Sequence, residues 1–177
     1  MQNRSEQAQR RVIYNGKVID LGAEQLTLPN GNRCELEIIR HPGGAVAMAV
    51  DAQQRICLLR QYRYAAGGWI WEFPGGRIEP GESALSSAQR ELREEAGVEA
   101  KQWQAVIDFY STPGFCDERL YLFLASDLQQ VASATEADEV LEVHWLDRYE
   151  TRELMQAGEI KDAKTLIGLY QLYALLK

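Results

Sequence analysis

Over the first 40 residues, apolar and polar positions alternate in short runs: 11–14, 17–21, 24–28 and 33–39. Asn15-Gly16, Gly22 and Pro29-Asn30-Gly31-Asn32 separate them. Asn-Gly between apolar runs is a strong short-range hairpin signal. The pattern predicts a small antiparallel sheet, too slight to be stable alone, preceded by a polar lead of about ten residues. His41-Pro42-Gly43-Gly44 then reads as a hinge-like connection. The apolar run 45–50 is consistent with a buried strand, followed by strands at 55–62 and 69–73. A helix is expected from about Ser83 to Gly97, a glycine suited to the left-handed stop. Its apolar stripe is Leu85, Ala88, Leu92 and Ala96. Strands follow at 103–110, 120–125 and 140–146, with a loop at 111–118. Helices are expected at 148–157 and 162–176. In the second, Asp162 is the N-cap and Leu166, Leu169, Tyr170, Tyr173 and Leu176 form the stripe. Strands, one central helix, strands, then helices make an α+β order.

Length changes this picture little. A chain of 177 residues holds one domain with a sizeable core. The expected division is an N-terminal β segment, 1–40, and a main domain, 41–177. The net charge of −7 argues against nucleic acid or an anionic membrane as the main partner. An anionic substrate must then be met by local positive charge or by metal. Cys34, Cys57 and Cys116 are far apart and fit neither a zinc site nor a secreted disulfide framework. The polar N-terminus lacks a signal core, and 165–176 is too short to span a bilayer, so a cytoplasmic protein is expected.

The candidate chemistry lies in 75–98. Glu91 and Glu95 are four apart on the central helix and Glu94 is three from Glu91. Like charges at that spacing repel by a few tenths of a kcal/mol per pair, roughly, in an isolated helix. Such carboxylates either stay in water, offset by Arg90 and Arg93, or share a hard divalent cation such as magnesium. The wider pattern favours the cation. Gly76, five residues, Glu82, seven residues, then Arg90-Glu91-Leu92-x-Glu94-Glu95-x-Gly97-Val98 resembles the Nudix box without a departure.

That resemblance implies a Nudix α/β/α sandwich with a mixed sheet and a hydrolase that cleaves a nucleoside diphosphate linked to another group. It implies Glu91 and Glu95 as first metal ligands, Glu94 and Glu82 as second choices, and the Gly75 carbonyl completing the site. Arg90 would hold the glutamates in place. Glu82 also reads as a helix-start acid favoured by the dipole. Outside the box, Arg60-Gln61-Tyr62-Arg63, Trp71-Glu72-Phe73-Pro74-Gly75-Gly76, the run 42–46 and the loop 112–118 are similar to the ADP-ribose pyrophosphatase branch. Many relatives carry alanine at the position of Gly75, a difference expected to matter little where only a carbonyl is wanted.

By the same resemblance Glu118, in a Gly-containing loop, is the candidate general base, with a solvated loop acid as the plainer alternative and Asp117 as a neighbour for either role. Arg63 and Arg40 are candidates for diphosphate or terminal sugar, since Arg forks suit phosphate oxygens. A surface salt bridge explains Arg40 equally well. Glu72 would meet a sugar hydroxyl or pair with Arg63. Phe115, Tyr14 and Tyr64 are candidate stacking partners for a base.

The implied activity is magnesium-dependent hydrolysis, with manganese as a substitute, of nucleoside diphosphate sugars. ADP-ribose leads, giving AMP and ribose 5-phosphate. The alternatives are GDP-mannose or broad nucleotide-sugar hydrolysis, a triphosphate pyrophosphohydrolase, and a non-catalytic nucleotide-binding sensor. In the branch resembled, the N-terminal strands exchange between subunits and help form the substrate site, which implies a homodimer.

Overall fold

A computed structural model describes residues 9–133 and 139–175. Contacts divide the described residues into two compact units, one taking 9–43 together with Tyr110–Arg119, the other taking Gly44–Phe109 and the described residues from Leu120 onward.

In the first unit, β1 (Gln9–Asn15), β2 (Asp20–Thr27) and β3 (Arg33–Arg40) form an antiparallel sheet in that order. Two expectations change here. The first turn takes 16–19, closed by the Gly16 N–H donating to the Ile19 carbonyl at 2.8 Å, so 17–21 is not a separate strand. Gly22 lies inside β2 rather than at a turn. Arg10 passes over it: a Cβ on residue 22 would sit 2.5 Å from the Arg10 Nε. The missing side chain lets Arg10 reach Asp20 at 2.9 Å. The loop 111–118 is stitched to β3, as the Phe115 carbonyl accepts from the Ile39 N–H (2.8 Å) and the Ile39 carbonyl from the Asp117 N–H (3.2 Å).

The second unit holds β4 (Gly44–Ala49), β5 (Ile56–Arg63), β6 (Gly68–Glu72), β7 (Gly75–Arg77), α1 (Ala84–Ala96), β8 (Val98–Tyr110), β9 (Arg119–Gln130), β10 (Leu141–Leu146), α2 (Arg148–Gln156) and α3 (Ala163–Leu175). The end residues of β8 and β9 fall in the first unit. One sheet has the order β7-β4-β9-β8 and is mixed, with β4 parallel to β9 and antiparallel to β7. The other, β10-β5-β6, is antiparallel. This is the expected α+β architecture with a mixed sheet and a small N-terminal antiparallel sheet.

The apolar run through β4 is buried on both faces, and its composition decides what covers each. Ala45, Ala47 and Ala49 cluster with Ala88, Leu92 and Ala96 of α1, so small side chains let that helix come close. Val46 and Met48 cluster with Leu169 and Leu172 of α3. Gly168 allows that second approach, since a Cβ there would meet the Phe73 ring at 2.7 Å.

Both helix stripes need correction. In α1, Leu85 is exposed, because the buried arc runs through Ser87, Ala88, Glu91, Leu92, Glu95 and Ala96 and leaves Leu85 at its edge in the first turn. In α3, Tyr170 faces out and Leu172 faces in, since the inward arc centres on Thr165, Gly168, Leu169 and Leu172. Leu176 lies outside the described residues. Gly75 is also less permissive than expected. A Cβ there would lie 2.6 Å from the Ala45 carbonyl oxygen, so alanine requires the β4–β7 backbones to move. Among the described residues no helix is long and apolar enough to cross a membrane.

Candidate functional site

The helix α1 is fixed at both ends. Ser83 caps it by accepting from the Ser86 N–H, and Gly97, at φ 63°, closes it by donating to the carbonyls of Leu92 and Arg93. This frame turns Glu91 and Glu95 inward with the apolar stripe, leaving them 8% and 2% exposed. Glu95 accepts from the Gly75 N–H at 2.8 Å, which ties the helix to β7. A Cβ on residue 76 would meet the Glu91 Oε1, so any side chain there would displace that carboxylate.

Arg90 gathers the remaining acids. Its Nε donates to Glu82 at 3.0 Å, and one terminal nitrogen donates to Glu91 at 2.7 Å and Glu94 at 3.2 Å. The other reaches Glu82 again and the Arg77 carbonyl, both at 3.2 Å. The hydrogen bonds that Arg90 donates to Glu82 lower the Glu82 pKa and raise that of Arg90. The structure thus brings Glu82, Arg90, Glu91, Glu94, Glu95 and Gly75 together on α1, the loop before it and the start of β7.

Burial dominates the electrostatics of the pair. Burial raises the Glu91 pKa against the pull of Arg90. Burial and then the Glu91 charge raise Glu95 to about 8, opposed by the Gly75 N–H. A third carboxylate, Glu139, pushes both upward. Burial, and then the charge of Glu95, push the Cys57 thiol up to about 12, consistent with an inert thiol. Sequence reasoning passed over Glu139. The signal available was the acid-rich stretch 136–142 just ahead of the last strand.

Arg63, at the end of β5, donates through Nε to the buried Glu72 at 2.8 Å. Its charge lowers the Glu95 pKa, so it acts on one carboxylate of the pair. Glu72 also accepts from Lys164 at 2.8 Å, a partner that sequence reasoning missed. Gln61, on the same face of β5 as Arg63, is buried, and its carbonyl oxygen has no hydrogen-bond partner among the described residues.

Arg40, Phe115 and Glu118 belong to the first unit. Arg40 is fully engaged: Glu24, which is buried, accepts from its Nε (2.8 Å) and one terminal nitrogen (2.6 Å), and Asp117 from the other (2.8 Å). Asp117 additionally accepts from the His41 N–H at 2.8 Å and is occupied in holding the loop. Glu118 is half-buried, 3.5 Å from the His41 Nδ1, which accepts from the Gly43 N–H. Phe115, Tyr14 and Tyr64 are exposed.

Among the described residues no three acidic, His or Cys side chains form a ready-made metal cage. Magnesium needs none, being usually held through one or two carboxylates together with substrate phosphates. The donor set fits such an ion. It offers oxygen ligands only, two buried carboxylates that repel each other, and a glycine where a side chain would displace one of them.

The raised pKa of Glu95 makes this testable. In the metal-free protein the folded state holds the Glu95 proton more tightly than the unfolded chain. That contribution to stability is therefore complete below about 4.5 and is lost as pH rises through about 8. A divalent cation binds the ionised form and must displace the proton, so apparent magnesium affinity should rise close to tenfold per pH unit between pH 6 and 8. Calorimetry in buffers of different ionisation enthalpy should show about one proton released. A flat affinity over that window contradicts the placement of the metal on Glu95.

The profile of the family described as NUDIX domain matches residues 40–166. An ADP-ribose pyrophosphatase of Bacillus subtilis (strain 168) is 38% identical over 162 residues, covering 90% of this chain and 88% of that protein. An ADP-ribose pyrophosphatase of Mycobacterium tuberculosis is 32% identical, covering 92% and 80%. A methanol dehydrogenase activator of Bacillus methanolicus is 35% identical, covering 90% and 88%. A solved structure described as an ADP compounds hydrolase superposes with a TM-score of 0.81, covering 97% of this chain and 95% of that one at 20% identity.

Proposed function

From the premise that this chain belongs to the NUDIX domain family and is a Nudix hydrolase acting on pyrophosphate bonds, we propose that its substrates are nucleoside diphosphate sugars, ADP-ribose first among them. The observation that carries this reading is the buried pair Glu91 and Glu95 with the Arg63 charge acting on Glu95. The two relatives named ADP-ribose pyrophosphatase support the choice of sugar nucleotide.

Glu91 and Glu95, with Glu82 and the Gly75 carbonyl, are the ligands for magnesium, or manganese in its place. When bound, the ion neutralises diphosphate charge and acidifies water. Arg90 keeps the ligands apart and aimed, and Glu94 completes its hydrogen bonds. Arg63 meets the diphosphate with its terminal nitrogens, while Glu72 orients it. Phe115 is a stacking surface, and Arg40 anchors the loop that bears Phe115 and Glu118. A water oxygen bonds to one phosphorus, and the bond from that phosphorus to the bridging oxygen breaks. The bridging oxygen leaves with the second phosphate, and the water proton passes to a carboxylate. Products from ADP-ribose are AMP and ribose 5-phosphate. Glu118 is the proposed acceptor of that proton. Glu139 is the second candidate, on the observation that its charge reaches both Glu91 and Glu95.

A panel of ADP-ribose, ADP-glucose, GDP-mannose, UDP-glucose, NADH and triphosphates, resolved by chromatography, tests the substrate choice. ADP-ribose should be turned over fastest. A preference for GDP-mannose, or none, keeps the chemistry and removes ADP-ribose. A non-catalytic sensor, or an activator like the Bacillus methanolicus relative, is the reading to adopt if nothing is cleaved. The presence of all four box glutamates, 82, 91, 94 and 95, weighs against it.

The same reading includes a homodimer through the N-terminal strands. It is supported by the exposed Val12, Ile13 and Tyr14 on β1 and Val18 and Ile19 at the following turn. Light scattering after gel filtration should give twice the chain mass. A monomer contradicts a substrate site shared between subunits.

A further inference from the structure

We propose that Lys164, on the first turn of α3, is a positioning residue that keeps Arg63 available to an anionic substrate by occupying half of Glu72. The inference rests on the reading that Arg63 meets the diphosphate. Its basis is a chain of short contacts inside the second unit. Asp162 accepts from the Thr165 N–H (2.9 Å) and hydroxyl (2.7 Å), and that hydroxyl accepts from the Phe73 N–H (3.0 Å), so α3 is fastened to the end of β6. The other Asp162 oxygen accepts from the Lys164 ammonium at 2.9 Å. Lys164 donates in turn to Glu72 Oε1 at 2.8 Å, and Arg63 Nε donates to Glu72 Oε2 at 2.8 Å. Burial alone would lower the Lys164 pKa, but Asp162 and Glu72 outweigh it and the pKa is raised, so the ammonium stays charged.

The geometry matters because an arginine beside a carboxylate ordinarily makes two parallel hydrogen bonds to both oxygens. Here the second oxygen is taken, and Arg63 binds by Nε alone. Among the described residues its two terminal nitrogens have no protein hydrogen bond, and its side chain is 42% exposed. The guanidinium is thus held at one corner with its fork free, and its charge acts on Glu95. Without the ammonium, Glu72 offers both oxygens, and Arg63 closes onto them in the two-bond geometry at the expense of an incoming phosphate.

The test is Lys164→Met, read by KM and kcat for ADP-ribose with magnesium and by the calorimetric Kd for inorganic pyrophosphate, which needs no turnover. KM and Kd should each rise about tenfold, with kcat changing far less. In an Arg63→Ala background the same substitution should add nothing, because the residue through which Lys164 acts is gone. A second variant separates positioning from folding: Lys164→Met with Glu72→Gln leaves a neutral pair that cannot capture Arg63, and should return KM to within about threefold of Glu72→Gln alone. Rises of equal size with and without Arg63, a loss confined to kcat, or an unmoved KM and Kd overturn the proposal. If no nucleotide sugar is cleaved yet the pyrophosphate Kd still responds through Arg63, the substrate reading fails and the positioning role stands.

Discussion

Glu95→Gln should lower hydrolysis at limiting magnesium by on the order of a hundredfold or more, with the magnesium concentration for half-maximal rate raised sharply. Glutamine keeps the shape and retains an acceptor for the Gly75 N–H, so β7 and α1 stay joined. It loses the negative charge, which is the property a hard cation requires. The fold itself should gain, because this carboxylate is buried against Glu91 and its ionisation is costly in the metal-free state. The melting temperature without metal at pH 8 should therefore hold or rise while activity collapses. This opposition separates a metal ligand from a structural acid, whose loss would lower both. An unchanged magnesium dependence removes Glu95 from the metal site.

The second large effect belongs to the proton acceptor. Glu118→Gln should reduce turnover by about 10²- to 10⁴-fold with little change in KM, as general-base removal does. The half-buried Glu118 faces the His41 ring on a loop held by Arg40, Asp117 and Ile39. The substitution therefore leaves the fastening of the loop intact. If turnover survives, Glu139→Gln should show the loss instead, since Glu139 is the other carboxylate whose charge reaches the pair. Measuring kcat of both variants at saturating magnesium assigns the group, because only loss of the true base lowers turnover there. Two variants with wild-type turnover would contradict carboxylate base catalysis from either position.

The parts of this molecule legible in the sequence were those encoded locally. The α1 frame could be read because its stop signal, Gly97, and its acids lie within one helix. Most strands and all three helices follow from apolar runs bounded by turns, whereas β7, a Gly-Gly-Arg segment with no apolar residue, carries no such signal. The failures share a cause, which is that a side chain from elsewhere decides the outcome. Gly22 reads as a turn residue, but its space is taken by Arg10 of β1, which pairs with Glu24 two positions farther along β2. The α3 stripe was misjudged because the helix meets the sheet through Gly168 and Thr165, which hydrophobicity does not count. Lys164 and Glu72 are separated by 92 residues, and neither position alone indicates the pair. Glu139 carries no motif, and only the fold brings its charge to the α1 acids.

The most direct measurement of the central claim is a single incubation of the purified protein with ADP-ribose and magnesium, followed by chromatography with and without chelator. AMP and ribose 5-phosphate should form in equal amounts, be absent when the chelator is present and be lost in Glu95→Gln. Intact ADP-ribose with magnesium and with manganese, or AMP formation that the chelator does not touch, would contradict metal-dependent cleavage of the diphosphate at the α1 carboxylates.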